Sequence, residues 1–209
     1  MLVRDIIKGP VIAIESKTTL EGAYRTMQEK RIRHLPILES GKLVGVVTDR
    51  DLRLATSVLS ASPFPPGAQV AEVMSRSPKT ADPWEPVEEA ARTMRELKIG
   101  CLPVLEEDKL IGIITGIDLL DALIRLTGVD KPSSRLEVRL SDRPGELARL
   151  TSFMSHRDLN IHSILTYPEG PDRVTAVLRV GSIDNHSIAQ ALRRAEFEVL
   201  WPPEKPCLR

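Results

Sequence analysis

The stretch Gly45–Leu52 reads GVVTDRDL, and the stretch Gly112–Leu119, 67 residues later, reads GIITGIDL. The same shift aligns Leu20–Leu52 with the second half without a gap, and it superposes the Leu-Pro pair at Leu35 on the pair at Leu102. A repeat of this length is one supersecondary unit made twice, and two such units normally pack together to close a shared core. Two related half-sites at one interface favour a binding protein over an enzyme.

Each repeat has the apolar spacing of a short strand, a helix, two further strands and a second helix. In the first repeat, the sequence predicts the short strand over Val11–Ile14 and the first helix after Thr18-Thr19. Two longer strands, Leu35–Leu38 and Leu43–Val47, flank a polar turn. Residues 57–69 are rich in proline, serine and glycine, which indicates an irregular connector between the repeats.

Charge, aromatic content and hydropathy argue against nucleic-acid and membrane partners. Lysine and arginine together number 29, aspartate and glutamate also number 29, and aromatic residues make up only 3% of the chain. A basic surface for duplexes and a stacking platform for single strands are therefore both unexpected. No apolar run approaches the length of a membrane span, and Met1–Asp5 does not read as a signal peptide. We expect a cytosolic protein.

Cysteine and histidine usage points to neither a disulfide framework nor a metal site. Cys101 and Cys207 lie in different regions, and the four histidines share no ligand spacing with them. His34 is interpreted as a packed residue before a strand. A serine nucleophile elbow, a Walker loop and a dinucleotide fingerprint are all missing from the sequence, so a nucleotide-handling enzyme is the weaker alternative.

Both repeats carry Thr-x-x-Asp where a strand is predicted to end, as Thr48–Asp51 and Thr115–Asp118. This spacing approximates a capping box, and by itself it favours that structural role. A helix N-terminus is also a natural seat for phosphate, where a threonine hydroxyl adds a donor and a nearby carboxylate suits a ribose diol. The preceding glycines, Gly45 and Gly112, would let a flat ligand approach the backbone.

These segments, with Leu35–Ile37 and Leu102–Val104 ahead of them, resemble a tandem CBS-domain pair over residues 1 to about 128. The resemblance implies a pseudo-twofold pair of βαββα repeats with two clefts that often bind adenosine-containing nucleotides, here of the AMP, ADP or ATP type as a regulatory ligand and not as a cofactor. It implies ribose contacts from two aspartates and phosphate contacts from two threonines and one arginine. These residues are Asp51 and Asp118, Thr48 and Thr115, and Arg50.

The two implied clefts differ in charge. Asp49 places a second carboxylate beside the implied phosphate-binding position of the first repeat. The equivalent residue of the second repeat is Gly116, which has no side chain. Arg50 has no charged counterpart at Ile117. We expect unequal affinities for the two clefts, without a ranking, because Arg50 offsets Asp49.

The pattern changes after residue 134. Leu136, Val138 and Leu140 alternate with polar residues as a half-buried strand, and the following pattern of helix, hairpin, helix and strand completes a ferredoxin-like β-α-β-β-α-β order. Between the first strand and helix stands Asp142–Gly145 (DRPG). Asp142 is expected to cap this helix, Pro144 suits its first position and Gly145 relaxes the chain at its entry. One side of the helix carries Leu147, Leu150, Phe153 and Met154.

This turn, with Asp158–Ile161 (DLNI) opening the second strand, resembles an ACT domain over residues 135 to about 202. The resemblance implies a small regulatory module that often binds an amino acid between two copies. Amides near Gly145 would hold the ligand carboxylate, and Asp142 or Asn160 would meet its ammonium group. The implied effector residues are Asp142, Arg143, Pro144, Gly145, Asn160 and Ile161.

The sequence therefore predicts a CBS repeat over 1–66, a second over 67–128, a linker over 129–134 and an ACT domain over 135–209. This order resembles bacterial acetoin-utilisation regulatory proteins. The leading interpretation is a non-enzymatic regulator that binds an adenine nucleotide in its CBS pair and whose ACT domain senses an amino acid, mediates homodimerisation, or does both. It would act on an unidentified metabolic enzyme or regulator in acetoin or other carbon-use control. The alternatives are a structural assembly module that binds no ligand and the enzyme mentioned above.

Overall fold

The structure, a computed structural model, describes residues 1–204; residues 205–209, with Cys207 and the end of the predicted extended tail, lie outside the described part. The chain divides into two units, Met1–Ala122 and Leu123–Arg209. The predicted domain boundaries stay predictions. Along residues 1–204 the helices are α1 (Leu20–Lys30), α2 (Asp49–Ala55), α3 (Val87–Leu97), α4 (Gly116–Thr127), α5 (Glu146–Ser155) and α6 (Asn185–Arg194).

Along residues 1–204 the strands form two sheets in the first unit and one in the second. Those of the first unit are β1 (Ile14–Glu15), β2 (His34–Glu39), β3 (Lys42–Thr48), β4 (Ser75–Arg76), β5 (Cys101–Glu106) and β6 (Lys109–Thr115). Those of the second are β7 (Ser134–Ser141), β8 (Ile161–Pro168), β9 (Arg173–Val180) and β10 (Glu198–Trp201). The sheet orders are β1-β2-β3-β4, β5-β6 and β10-β7-β9-β8.

The predicted opening strand is shorter than expected. Only Ile14 and Glu15 pair with β2, at Ile37 and Leu38, so the prediction of a strand over Val11–Ile14 is wrong for its first three residues. Val11 and Ile12 instead line a cavity, where no neighbouring strand offers them hydrogen-bond partners. The longer strands and both helices of each repeat are confirmed.

Each core of the first unit combines the body of one repeat with the opening segment of the other. Val3 and Ile6 pack in the core of the second repeat, whereas Val70 and Met74 pack in that of the first. Val3 N–H donates to the Glu85 carbonyl at 2.9 Å, and Val70 N–H donates to the Thr18 carbonyl at 2.8 Å. Val70 and Glu85 lie 67 positions after Val3 and Thr18, so the two repeats make the same exchange. Two cores joined by exchanged segments thus replace the single shared core that the repeat suggests.

This exchange explains the two strand glycines. A Cβ on Gly45 would lie 2.5 Å from Met74 Sδ, and a Cβ on Gly112 would lie 2.2 Å from Ile7 Cγ2. The expectation that a flat ligand uses this space is therefore wrong, because a side chain of the exchanged segment already fills it.

In the second unit the predicted β-α-β-β-α-β order is confirmed. The alternating residues Leu136, Val138 and Leu140 of β7 point into a core that also contains Leu150 of α5 and Leu192 of α6. Phe153 and Met154 are buried as predicted, but Leu147 is 43% exposed and lies outside this core.

A charge network lies at one end of this sheet. Arg139 Nε donates to Glu169 Oε2 at 2.9 Å, and its guanidinium also pairs with Glu198. The Thr175 hydroxyl donates to the same Glu169 oxygen at 2.7 Å. These bonds, first that from Arg139, lower the pKa of Glu169 to about 2.

Candidate functional site

The two Thr-x-x-Asp segments lie at equivalent strand-to-helix junctions. Thr48 is the last residue of β3 and α2 begins at Asp49; Thr115 is the last residue of β6 and α4 begins at Gly116. The apolar strand before each threonine is buried, whereas the helix after it is amphipathic and exposes one face to solvent. The chain changes direction between the two, at the threonine. We call the first set of residues, 48–51, the Asp51 half-site and the second, 115–118, the Asp118 half-site.

Both aspartates accept hydrogen bonds from their own threonine. Asp51 Oδ2 accepts from Thr48 N–H at 2.9 Å and from the Thr48 hydroxyl at 2.8 Å, and Thr48 Oγ1 accepts from Asp51 N–H, which completes a capping box. Asp118 Oδ2 accepts the equivalent bonds from Thr115 at 2.8 and 2.7 Å. The capping box that the spacing favoured is complete at Thr48–Asp51, and Thr115 and Asp118 share the half of it that ends on the carboxylate. These bonds use one oxygen of each carboxylate.

Hence the hydroxyls of Thr48 and Thr115 donate to the carboxylates of Asp51 and Asp118. For either hydroxyl to donate to a phosphate, its bond to the carboxylate must break. Otherwise the threonine can contact a phosphate only through its backbone. The second carboxylate oxygens, Asp51 Oδ1 and Asp118 Oδ1, are not used by the cap. Capping and ribose binding are therefore compatible in the same aspartate.

The two half-sites differ at the second oxygen. Lys8 Nζ lies 3.1 Å from Asp118 Oδ1 and 3.2 Å from Asp121 Oδ2. These bonds, that to Asp118 first, raise the pKa of Lys8. The residue 67 positions after Lys8 is Ser75, and within residues 1–204 no side chain donates to Asp51 Oδ1. Sequence reasoning missed Lys8, although a comparison of charge at matched repeat positions would have found it.

The charge of Asp49 is not balanced as expected. Asp49 Oδ2 pairs with Arg53 Nη2 at 2.8 Å, one helical turn away, so Arg53 and not Arg50 offsets this carboxylate. Arg50 is exposed and lines the cavity described next.

A single cavity of about 1670 Å³ in the first unit contains both half-sites. Small-molecule pockets usually measure about 300–1,000 Å³, so this volume exceeds the needs of one nucleotide. All five predicted nucleotide contacts line it: Thr48, Arg50, Asp51, Thr115 and Asp118. The structure therefore brings the predicted residues of both repeats together around one space.

His34 and Cys101 occupy equivalent repeat positions in the wall of this cavity. Burial, followed by the charge of Arg33, lowers the pKa of His34, which favours the neutral imidazole. Burial, followed by the charge of Asp51, raises the pKa of Cys101 to about 12. At neutral pH the imidazole of His34 is therefore neutral and the thiol of Cys101 is protonated.

The predicted amino-acid residues do not converge within one copy of the second unit. Asp142, Arg143, Pro144 and Gly145 follow the end of β7, near Asp172, whose carbonyl accepts from Asp142 N–H at 2.9 Å. Asn160 and Ile161 lie at the other end of the sheet, where Ile161 pairs with Val180 and Val180 with Ser134. The seven steps along β7 separate the two groups by roughly 24 Å.

The local capping prediction for this turn is also wrong. Helix α5 begins at Glu146 with Gly145 as its N-cap, and no side chain caps it. Gly145 has φ +96°, so the left-handed conformation open to glycine turns the chain into the helix. Asp142 and Pro144 precede that turn and cannot take the cap and first helical positions expected of them.

A model of the CBS domain matches residues 3–57 and 70–125, which together make up more than half of the chain. The chain belongs to the CBS-domain family. A model of the ACT domain matches residues 134–197, so two CBS domains are followed by an ACT domain. Both are regulatory modules.

Relatives contain the CBS pair in different settings. A CBS domain-containing protein of Dictyostelium discoideum is 37% identical over 147 residues, which cover 64% of this chain and 99% of the relative. A homoserine O-acetyltransferase of Methanohalobium evestigatum is 35% identical over 119 residues, 56% of this chain but only 23% of that enzyme. The match to this enzyme therefore concerns a minor part of its length.

Solved CBS pairs include adenosine complexes. The pair of protein MJ0100, in complex with 5'-methylthioadenosine and S-adenosylmethionine, is 30% identical (TM-score 0.54; 63% of this chain, 98% of that one). CBSX2 in complex with AMP is 27% identical (TM-score 0.54; 60% and 97%). A putative acetoin utilization protein, AcuB, of Vibrio cholerae is 32% identical (TM-score 0.54; 64% and 98%). In this chain, no helix within residues 1–204 is long and apolar enough to cross a membrane.

Proposed function

We propose that this chain is a non-enzymatic regulatory protein that binds an adenosine-containing nucleotide in the cavity of its CBS pair. The observation that carries the proposal is that both half-sites line one cavity. In each of them the threonine bonds use only Oδ2 of the aspartate, so the cap leaves Oδ1 of Asp51 and of Asp118 unused. Asp51 and Asp118 bind the ribose hydroxyls, and Arg50 meets phosphate. Thr48 and Thr115 hold the carboxylates and approach phosphate through the backbone turn.

The complexes of the similar CBS pairs support an adenosine ligand, since all the molecules they hold contain adenosine. These ligands differ in whether they contain a phosphate group. AMP contains one, whereas 5'-methylthioadenosine and S-adenosylmethionine contain none. We propose AMP, ADP or ATP for this chain because Arg50 and Lys8 both line its cavity. A cation near the ribose site favours an anionic ligand.

For the ACT domain we propose homodimerisation and the binding of an amino acid between two copies. The separation of Asp142–Gly145 from Asn160–Ile161 within one chain supports a shared site, because a second copy must supply one of the two groups. Backbone amides near Gly145 would hold the carboxylate, and Asp142 or the partner's Asn160 would meet the ammonium group. The similarity to AcuB supports a role in acetoin or other carbon-use control through a partner enzyme.

The test is ligand-induced stabilisation of the full chain by AMP, ADP, ATP, NAD and S-adenosylmethionine. A ligand that binds only the folded state at 100 times its Kd adds about 2.7 kcal/mol to the free energy of unfolding. We expect stabilisation by at least one adenine nucleotide, reduced in Asp51→Ala or Asp118→Ala and retained in the exposed control Asp130→Ala. Isothermal titration then gives the number of occupied half-sites.

The alternatives predict different results from the same samples. A structural assembly module would show no stabilisation by any nucleotide and an oligomeric state independent of ligands. An enzyme would convert the nucleotide, which chromatography of the incubated mixture would reveal. If the unaltered chain converts the nucleotide and the Asp51→Ala variant does not, the enzyme alternative replaces the regulatory proposal.

A further inference from the structure

Lys8 is a cation beside the Asp118 half-site that has no counterpart beside the Asp51 half-site, where the equivalent repeat position is Ser75. Lys8 comes from the opening segment of the chain, bridges Asp118 and Asp121, and lines the cavity. Its side chain is 71% exposed, whereas that of Asp118 is 11% exposed. A solvated, flexible lysine therefore covers the accessible edge of a nearly buried carboxylate.

This contact changes what Asp118 offers a ligand. Its Oδ2 atom accepts two bonds from Thr115, and its Oδ1 atom is bonded to Lys8. A ribose hydroxyl that binds Asp118 Oδ1, the oxygen that the cap leaves open, competes with the lysine for that atom and weakens its contact. An uncharged nucleoside loses that charge-assisted bond without replacing it, whereas a phosphate gives the released ammonium a new anionic partner.

The surroundings leave room for such a partner. Gly116 occupies the position at which the other half-site carries Asp49. Apart from its chain neighbours and its own helix backbone, no atom of residues 1–204 lies within 4 Å of the place where a Cβ on Gly116 would be. Lys8 also contacts Asp121, so its ammonium group has a second partner beside the helix that does not depend on Asp118. In the Asp51 half-site, the cations are instead Arg50 and Arg53 on α2, and Ser75 stands at the position of Lys8.

We propose that Lys8 is a specificity-determining residue that makes the Asp118 half-site select phosphorylated adenosine ligands over uncharged nucleosides. This inference rests on the proposed function, because it concerns the same cavity. It adds that the two half-sites of one chain discriminate ligands by different cations.

The experiment measures Kd for AMP and for adenosine by isothermal titration, first with the unaltered chain. The Asp51→Ala variant then isolates the Asp118 half-site, and Lys8→Ala is added to it. We expect Lys8→Ala to weaken AMP binding by about tenfold and to leave adenosine binding equal or tighter, so that the AMP-to-adenosine preference falls by about tenfold or more. Lys109→Ala, an exposed lysine on β6, should leave the preference unchanged, and Lys8→Arg should retain most of it.

The outcomes separate the two proposals. If neither AMP nor adenosine binds the unaltered chain, the proposed function fails and this inference fails with it. If AMP binds the unaltered chain but not Asp51→Ala, the Asp118 half-site is not a nucleotide site and only the inference fails. If Lys8→Ala weakens AMP and adenosine equally, Lys8 merely positions Asp118, and the selectivity claim is overturned. Circular dichroism of each variant verifies that it is folded.

Discussion

The thioether of Met74 occupies the space directly above Gly45, 2.5 Å from where a Cβ would stand. Ile7 covers Gly112 in the same way at the matching position of the other repeat. Met74 and Ile7 both belong to segments that cross from one repeat to the core of the other. The two strand glycines are therefore the points at which the exchanged segments pass closest to the sheets.

Replacing either glycine should destabilise the first unit. We expect Gly45→Ala and Gly112→Ala each to lower the free energy of unfolding by about 1–3 kcal/mol, the usual cost of overpacking. Urea denaturation followed by circular dichroism measures the change. Gly67→Ala is the control, because no atom lies within 4 Å of its Cβ position. Equal effects of all three substitutions would show that the crossing does not require glycine.

The sequence was sufficient for those features that depend on local pattern. The 67-residue shift predicted both Thr-x-x-Asp junctions, and the alternation of Leu136, Val138 and Leu140 predicted the first strand of the second unit. These features are local because strand alternation, helix spacing and capping residues act over a few positions. The fold class followed from their order.

Long-range contacts could not be predicted in the same way. The side chain above Gly45 lies 29 positions further on, at Met74, and the cation on Asp118 comes from Lys8, 110 positions earlier. Neither pair has a signature in neighbouring residues: the local pattern assigns Gly45 to a ligand, and Lys8 shows only as a charge that the other repeat lacks at Ser75. The capping prediction for α5 is wrong for a different reason. Both Asp142 and Gly145 can stand at a helix N-terminus, and Gly145, in the left-handed conformation, is the N-cap residue.

Asp51→Asn should separate the capping role of this residue from ligand binding. The asparagine side-chain oxygen still accepts from Thr48, so we expect the free energy of unfolding to stay close to that of the unaltered chain. Asp51→Ala keeps the cap that Thr48 gives the backbone N–H of residue 51, but it loses the two bonds that Thr48 donates to the carboxylate, and it should cost about 1 kcal/mol. Both variants should weaken nucleotide binding at the Asp51 half-site by about tenfold or more, because ribose hydroxyls lose a charged acceptor. A stable Asp51→Asn variant with unaltered affinity would remove Asp51 from the binding site.

The Glu169 network should make the second unit sensitive to acid. The folded-state pKa of Glu169, about 2, lies below its ordinary value of 4.5 because of the bonds from Arg139 and Thr175. The unfolded chain therefore binds the proton more readily, and the stabilisation is present above pH 4.5 and is lost as the pH falls towards 2. Glu169→Gln should lower stability at pH 7 and have progressively less effect below pH 4.5. Denaturation across this range tests it against Glu196→Gln, an exposed control; a difference independent of pH would contradict the linkage.

Cys101 should resist alkylation in the folded protein. Burial raises the pKa of its thiol to about 12, so the thiolate that reacts with iodoacetamide is about 10⁻⁴ of the total at pH 8. In a Cys207→Ser variant, mass spectrometry should find Cys101 unmodified under native conditions and rapidly modified in urea. Rapid native labelling would show that the wall of the cavity opens to solvent.

The edge strand β8 offers a test of the proposed homodimer. Leu165 and Tyr167 lie two residues apart on this strand, share one face, and are 44% and 47% exposed. β8 pairs only with β9 among the described strands, and an unpaired strand edge is a template for pairing with another chain. Lysine at both positions should oppose such pairing, since charge on an edge strand is the usual defence against it.

We therefore expect the unaltered chain to be a dimer by light scattering coupled to size exclusion, and the variant with Leu165→Lys and Tyr167→Lys to be a monomer. Leu147→Lys is the matched control, because Leu147 is 43% exposed but lies on α5 and not on the sheet edge. Loss of the dimer should also abolish amino-acid binding, since one chain holds Asp142–Gly145 and Asn160 at opposite ends of its sheet. An amino acid that still bound the monomeric variant would rule out a site shared between two copies.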